Sequence, residues 1–198
     1  MKTKNILLHF EAFDEGKVFF IKDFIHIADT DSIKHVIAEL IRKRKVVRLC
    51  NGVYWKPKKD NLFGFDYQYP SIEIMAKAIA DNLGIKIIPT GQQALNMLGL
   101  STQVQTNAVY LTNGKSKRVV VNNKNKAIVF IHSDDKNLFK IENKTVLAIV
   151  LAMKTKGEKD ITASDVKILH NYLSTISATT YLKNIKNAPK WIQKRLSC

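Results

Sequence analysis

Residues 31–57 constrain the fold of this chain more than any other stretch. Ser32 stands where a helix cap is expected, and the apolar residues behind it recur at the spacing of one helical face. That face is made of Ile33, Val36, Ile37, Leu40 and Ile41. Basic residues occupy positions 42–45, and two β-favouring runs, 46–49 and 53–55, then flank Asn51-Gly52, which is typical of a tight hairpin turn. The stretch therefore predicts a helix, a basic turn and a two-stranded hairpin.

The elements predicted before this stretch complete a small domain. Residues 2–13 place apolar side chains on one helical face, residues 18–20 form a short β-favouring run, and residues 21–28 predict a second short helix. Helix, strand, helix, turn, helix and hairpin is the order of elements in a winged helix-turn-helix. We therefore expect residues 1–60 to form a winged helix-turn-helix domain.

The remainder predicts a second domain that mixes strands and helices. Residues 61–69 form an aromatic connector, and residues 70–198 a domain of α/β composition. Helical patterns cover 71–83 and the residues after Pro89, and strands are expected at 85–88, 107–112, 118–121 and 126–132. From residue 142 the pattern is helical. The fold class is thus α/β of the α+β type: a winged helix, a small sheet flanked by helices, and a helical carboxy-terminal segment.

Charge is unevenly distributed along the chain, whose formal net charge is +15. Residues 1–60 carry 13 basic and 8 acidic residues, residues 61–110 carry 2 and 3, and residues 111–198 carry 17 and 6. Basic regions of this kind suit a polyanionic partner, because each phosphate that is neutralised releases counterions. The alternative is that the charge serves solubility and follows the Lys and Asn bias of an AT-rich genome.

The winged helix predicts a double-stranded DNA interface. In such domains the recognition helix enters the major groove and the hairpin contacts the backbone or the minor groove. The predicted DNA-binding residues are Ser32, Lys34, His35, Arg42, Lys43, Arg44, Lys45, Arg48 and Asn51. The alternative is a winged domain that binds protein, with its cations merely solvated.

Several classes of function lack a signature in the sequence. No HExxH, GxSxG, Walker A or GxGxxG motif occurs, and the five histidines include no pair at metal-ligand spacing, so we expect neither an enzyme nor a cofactor or metal. Cys50 and Cys198 are too few for a disulfide framework. No apolar run is long enough for a membrane span or a signal peptide, which predicts a cytoplasmic protein.

Two phrases of the sequence carry a resemblance to a known family. Residues 48–57 read RLCNGVYWKP at the end of the predicted winged helix, and residues 89–104 read PTGQQALNMLGLSTQV. With the helix at 71–83 and the strand ending at Thr112, most of the chain resembles the AbiEi family of antitoxins from bacterial type IV toxin–antitoxin, or abortive infection, systems. Relatives often have proline after the valine, where this chain has Gln105.

The resemblance implies two activities. The winged helix would bind inverted repeats upstream of its own operon and repress it, and the carboxy-terminal domain would neutralise a co-encoded nucleotidyltransferase-like toxin without requiring a stable complex. The expected antitoxin surface is Thr90, Gln92, Gln93, Ser101, Thr102 and Gln103. The alternative is that residues 89–104 serve the fold alone. Two other functions also stay open: a stand-alone winged-helix regulator, and an enzymatic carboxy-terminal domain recruited by the winged helix.

Overall fold

A computed structural model of the 198-residue chain describes residues 2–58, 69–103, 107–121 and 126–197. The predicted aromatic connector lies outside the described residues except for Tyr69, as do residues 104 and 105 at the end of the second family phrase. The chain divides into two compact units. The first comprises Met1–Gly84 with Arg118–Ile128, and the second comprises Ile85–Lys117 with Val129–Cys198.

The first unit begins with the elements predicted for the amino-terminal domain. They are helix α1 (Lys2–Glu11), strand β1 (Val18–Phe20), a 3-10 helix (Ile21–Phe24), helix α2 (Thr30–Arg42), and strands β2 (Val47–Cys50) and β3 (Val53–Trp55). Helix α3 (Ile72–Leu83) follows them in the same unit. The three strands form an antiparallel sheet in the order β1-β3-β2. Its register pairs Phe19 with Tyr54 and Arg48 with Tyr54. The hairpin β2–β3 is therefore held on one side by β1 and has β2 as its open edge.

Aromatic residues of α1 and β1 and the apolar face of α2 form the core of this unit. Its members are Ile6, Phe10, Phe13, Phe19, Phe24, Ile33, Val36, Ile37, Leu40, Val46 and Tyr54. Lys56, directly after β3, donates hydrogen bonds to the carbonyls of Phe10, Glu11 and Phe13 at the end of α1. The ammonium group of Lys56 also lies at the negative end of the α1 dipole, where a cation is favourable. These interactions fasten the hairpin to α1.

The second sheet has four strands in the order β4-β5-β7-β6. Strand β4 (Ile87–Pro89) leads into helix α4 (Gly91–Met97), and strands β5 (Ala108–Thr112), β6 (Lys117–Val120) and β7 (Ala127–His132) follow. Strands β4 and β5 are antiparallel, with Pro89 opposite Tyr110. Proline is tolerated there because β4 is an edge strand.

The remaining helices all belong to the second unit. A 3-10 helix (Leu138–Lys140) precedes α5 (Lys144–Lys156), α6 (Ala163–Leu173), α7 (Ala178–Ile185) and α8 (Lys190–Leu196). Residues 146–153 of α5 are all buried, so the neighbouring helices pack around it. Buried Asn184 accepts hydrogen bonds from the backbone N–H groups of Glu142 and Asn143. The side chain thereby fixes α7 to the start of α5.

Two close contacts in the second unit depend on single residues. A Cβ at Gly91 would lie 1.6 Å from Oγ1 of Thr155, so only glycine allows α4 to approach α5 this closely. Asp165 forms a capping box with Thr162 at the start of α6 and an ion pair of 2.7 Å with Lys156. Burial raises the pKa of Asp165, but the hydrogen bonds from Lys156 and Thr162 outweigh it and hold the pKa below its ordinary value.

The predicted α+β fold class is confirmed, since helices and two small sheets make up the described residues. Three details differ from expectation. The cap of α2 is Asp29 rather than Ser32, because the Asp29 carboxylate accepts the backbone N–H of Ser32 at 2.9 Å. The helix expected at 21–28 is a 3-10 helix limited to Ile21–Phe24. Contacts group α3 with the first unit, whereas the sequence pattern places it in the second domain; the boundaries 1–60, 61–69 and 70–198 stay a prediction.

No helix in the part of the chain that the structure describes is both long and apolar enough to cross a membrane.

Candidate nucleic-acid interface

Helix α2 separates a buried face from a polar one. Ile33, Val36, Ile37 and Leu40 are buried in the core of the first unit. On the solvent side, Lys34 and His35 are exposed, and the Lys34 ammonium lies 3.3 Å from the carboxylate of Asp31. Of the predicted DNA-binding residues, Lys34 and His35 therefore lie on an accessible helical surface.

Ser32 is tied to the start of α2. Its backbone N–H and its hydroxyl both donate to the carboxylate of Asp29, at 2.9 and 3.0 Å. The hydrogen bond from the Ser32 backbone, followed by that from the Lys2 ammonium, holds the pKa of Asp29 well below its ordinary value. An anionic cap at the positive end of α2 stabilises the helix. The hydroxyl proton of Ser32 is used in the bond to Asp29, but the hydroxyl oxygen can still accept a hydrogen bond.

The basic turn, residues 42–45, ends α2 in an unusual conformation. The N–H of Arg44 donates to the carbonyl of Ile41, and the N–H of Lys45 donates to the carbonyl of Leu40, both at 2.9 Å. This pair of hydrogen bonds defines a Schellman motif, whose turning residue adopts positive φ and is usually glycine. Here the turning residue is Arg44, with a φ of 55°; no other described residue except glycine has a positive φ.

Three cations of the basic turn have no anionic partner within the described residues. Arg42 forms an ion pair with Glu39 one helical turn earlier. No ion pair or side-chain hydrogen bond joins Lys43, Arg44 or Lys45 to the rest of the described chain, and all three are exposed. A helix C-terminus favours one or two cations, whereas this one carries four. The excess is available to an external anion.

The hairpin adds a positioned guanidinium to the basic turn. Nη2 of Arg48 donates to Oδ1 of Asn51 at 2.7 Å, and both residues are exposed. Gly52 has a φ of 75°, as the tight turn requires, and an irregularity in the pairing of β2 with β3 falls between Arg48 and Cys50. Asn51 thus restricts the rotamers of Arg48 and reduces the entropy that Arg48 loses when it binds an anion.

Three other cations of the first unit have internal tasks. Lys56 donates to the carbonyls at the end of α1, Lys17 lies 3.8 Å from the ring centroid of Phe13, and Lys2 forms an ion pair with Asp29. These cations stabilise the fold. By contrast, residues 43–45 are exposed at the end of α2 and have no ion pair within the described residues, so they are available to an external partner.

The predicted antitoxin surface is joined by internal hydrogen bonds. Thr90 and Gln93 form the capping box of α4. Gln92 donates to the hydroxyl of Ser101 at 2.9 Å, and the same hydroxyl accepts the backbone N–H of Gln103 at 3.2 Å. The structure therefore brings Gln92, Ser101 and Gln103 together and gives them a structural task. Thr102 is exposed, with no such bond to the described residues.

His132 is the titratable side chain at the end of β7. Its Nδ1 lies 2.7 Å from the carbonyl oxygen of Gly114, and its Nε2 lies 3.0 Å from the carboxylate of Asp134. The contact with Gly114, followed by that with Asp134, raises the pKa of His132. The Nδ1 contact fastens β7 to the turn after β5, and the Nε2 contact holds the residues that follow β7. In the described ranges, no three His, Cys, Asp or Glu side chains lie together as a possible metal site.

Sequence reasoning missed two features of the interface. The sequence did not identify Asp29 as the N-cap of α2, because Ser32, three residues later, is of a residue type that is equally favoured at N-caps. The positive φ of Arg44 has no signal in the sequence, since glycine or asparagine is the residue that normally marks such a position.

Fold and site together define an α+β protein that exposes a cationic helix end beside a short hairpin. Residues 5–180 match the model of a family of unknown function, DUF6088, and the chain belongs to that family. The comparisons with curated proteins and with solved structures returned no match. The resemblance to AbiEi antitoxins is untested by these comparisons and stays a prediction.

Proposed function

We propose that this protein is a DNA-binding repressor of its own operon, which contacts double-stranded DNA through a winged helix formed by residues 1–60. One observation carries the proposal: Arg44 occupies a left-handed position that favours glycine, among exposed cations without anionic partners in the described chain. An arginine costs conformational energy at a surface position that favours glycine, and a ligand that binds its side chain would account for that cost. A phosphate backbone is such a ligand.

The proposed contacts divide between two tasks. Lys34 and His35 on the exposed face of α2, with the hydroxyl of Ser32, would reach base edges in the major groove. The basic turn and the hairpin would bind phosphates. The residues proposed for this second task are Arg42, Lys43, Arg44, Lys45, Arg48 and Asn51. Of these, Arg48 is the best positioned, because Asn51 already orients its guanidinium.

A binding titration over a range of salt concentrations tests the phosphate contacts. Replacing Arg44 and Arg48 together by glutamine should reduce the slope of log K against log salt by about 0.9 for each phosphate that is no longer neutralised. Lys77→Gln is the matched control, because Lys77 is exposed on α3 and plays no part in the proposed interface. An unchanged slope for the double variant, or an equal reduction for Lys77→Gln, would refute the assignment.

We propose further that the second domain neutralises a nucleotidyltransferase-like toxin encoded beside this gene. The support is the resemblance to AbiEi antitoxins, carried by residues 89–104. The candidate surface is Thr90, Gln92, Gln93, Ser101, Thr102 and Gln103, and neither a cofactor nor a catalytic step is part of the proposal. Action on DNA and on such a toxin would place the protein in the cytoplasm.

Rescue of toxin-arrested cells tests the antitoxin role separately from repression. Thr102→Glu alters an exposed side chain of the candidate surface and should abolish rescue while DNA binding persists. Arg44→Gln should relieve repression and leave rescue intact. If the neighbouring gene encodes no such toxin, the protein is better described as a stand-alone regulator. Modification of the toxin or of its RNA target by residues 68–198 with turnover would favour an enzymatic domain instead.

A further inference from the structure

The carboxy-terminal helices of the second unit carry almost only positive charge. Residues 161–198 contain six basic residues and a single acidic one, Asp165. Asp165 is buried, and its carboxylate already forms an ion pair with Lys156 at the end of α5. The cations of this segment therefore have no acid of the same segment to neutralise them.

The start of α5 lies against the end of α7 and adds further charge. Asn184 of α7 accepts the backbone N–H groups of residues 142 and 143. The ammonium of Lys183 lies 2.8 Å from the carboxylate of Glu142. Lys144, the first residue of α5, follows directly and is exposed. The contacts of α7 thus bring the lysines at its end close to the lysine that begins α5.

Helix α8 extends the same region. The side chain of Gln193 donates to the carbonyls of Lys186 and Ala188, at 3.5 and 2.8 Å, which fixes α8 to the turn after α7. Lys190 lies almost opposite the buried Ile192 around the axis of α8 and is exposed. Lys186 and Lys190 therefore adjoin the lysine at the end of α7.

Five exposed lysines in this region form what we call the lysine surface: Lys86, Lys144, Lys183, Lys186 and Lys190. Glu142 lies among them. The hydrogen bond and charge of Lys183, followed by the charge of Lys86, hold the pKa of Glu142 below its ordinary value. In the part of the chain that the structure describes, no ion pair joins Lys144, Lys186 or Lys190 to an acid. The lysine surface thus carries a clear excess of positive charge.

Helix stability does not account for two of these lysines. Lys144 and Lys190 are the first residues of α5 and α8. The amino-terminal end of a helix is the positive end of its dipole, where a cation is unfavourable. Neither helix has an acidic residue in its first turn to offset the lysine. An anionic ligand beside these lysines would offset the unfavourable placement.

We propose that the lysine surface binds the phosphate backbone of double-stranded DNA, as a second and sequence-independent contact. The choice of DNA rests on the proposed function. Single-stranded nucleic acid is bound by stacking on exposed aromatic rings, but Tyr181 and Trp191, the aromatic residues of α7 and α8, are half-buried against the core. Leu182 is the one exposed large apolar residue of these two helices, which is too little for insertion into a lipid surface.

Anisotropy titrations of the full chain with a labelled duplex of scrambled sequence, at several salt concentrations, test the inference. Replacing Lys144 and Lys190 together by glutamine should lower the slope of log K against log salt by up to about 1.8, since each phosphate contact contributes about 0.9. The ratio of affinities for upstream and scrambled duplexes should not change, because phosphates carry no sequence information. Thermal stability should be unchanged or higher, because both lysines lie at positive helix ends.

The matched control replaces Lys136 and Lys159 by glutamine. Both are exposed lysines of the same unit, and both lie near the opposite end of α5: Lys159 follows that helix, and Lys136 adjoins Asp135, which pairs with Lys154 in its last turn. The control pair removes the same charge without touching the lysine surface. It therefore separates a local contact from an effect of net charge.

Each outcome decides for or against the inference. A lower slope for the Lys144 and Lys190 pair, with an unchanged slope for the control pair, supports it. An unchanged slope, or equal reductions for the two pairs, overturns it. If the first pair fails to fold, Lys186→Gln with Lys190→Gln decides by the same criteria. Loss of binding to phosphatidylglycerol vesicles, with the duplex slope unchanged, overturns the inference in favour of a lipid surface.

The variant that replaces Arg44 and Arg48 by glutamine separates this inference from the proposed function. If the lysine variant lowers the slope and the arginine variant does not, the lysine surface stands and the proposed basic-turn contact fails. If only the arginine variant lowers the slope, the inference about the lysine surface is overturned alone. A chain that binds no duplex at any salt concentration overturns both.

Discussion

Replacing Arg44 by glycine should raise the stability of the protein and lower its affinity for DNA. Arg44 has a φ of 55° at the turning position of the Schellman motif that ends α2. Glycine adopts this conformation without steric strain, but it has no charge to offer a phosphate. The two effects of one substitution therefore have opposite signs for folding and for binding.

The magnitudes follow from the conformation and the charge. The left-handed region costs a residue with a Cβ about 1–2 kcal/mol, and the greater freedom of glycine in the unfolded chain offsets about 0.5–1 kcal/mol of the gain. The net stabilisation should be about 0.5–1 kcal/mol, which corresponds to a rise of about 2–4 °C in Tm at the upper end. Removing the phosphate-binding charge of Arg44 should weaken DNA binding about tenfold.

Two further variants separate backbone conformation from charge. Arg44→Gln removes the same charge but keeps a Cβ, so any stabilisation from reduced repulsion within the basic turn appears in both variants. Lys43→Gly also removes a charge, but Lys43 has a φ of −80°, so glycine there should destabilise the helix end. Thermal unfolding, monitored by circular dichroism, measures the stability of each variant. Fluorescence anisotropy with labelled DNA measures its affinity for DNA.

Two results would refute these roles of Arg44. If Arg44→Gly is no more stable than Arg44→Gln, the positive φ of Arg44 costs nothing and gives no reason to infer a ligand. If all three variants bind DNA as tightly as the original chain, the basic turn is not the phosphate-binding element.

The remaining predictions concern stability. Gly91→Ala should destabilise the protein by about 1–3 kcal/mol in chemical denaturation, because its Cβ would collide with Thr155, and adding Thr155→Ala should restore part of the stability. Lys56→Met should reduce stability by about 1–3 kcal/mol, since three carbonyls lose a charged donor, while the salt slope of DNA binding stays unchanged. Asp165→Asn should lower the free energy of unfolding by about 2 kcal/mol at neutral pH. Because the folded pKa of Asp165 lies below its ordinary value of 3.8, this difference should persist above that value and disappear as the pH falls through the folded pKa.

The sequence predicts most of the helices and strands between residues 2 and 58 because their signals are local. Asn51-Gly52 predicts the hairpin turn, and the apolar spacing from Ile33 to Leu40 predicts the buried face of α2. Both features depend on residues within a few positions of one another, where backbone geometry alone decides the structure.

Features that depend on distant residues were not predictable in the same way. The task of Lys56 at the end of α1 depends on the pairing of β1 with β3, and the contact of Tyr172 with Met97 depends on the packing of α4 and α6 around α5. The sequence proposes Gln92 and Ser101 as surface residues because polarity alone does not reveal a hydrogen bond across nine positions. Tertiary contacts determine these roles.

Recognition of the DNA upstream of its own gene is the function we propose for this protein. Its most direct test is a comparison of two duplexes of equal length and base composition, one with the upstream sequence and one scrambled, in anisotropy titrations at several salt concentrations. We predict tighter binding to the upstream duplex, and affinities for both duplexes that fall with salt in proportion to the phosphates contacted. Equal affinity for the two duplexes, or binding that does not respond to salt, would contradict the claim.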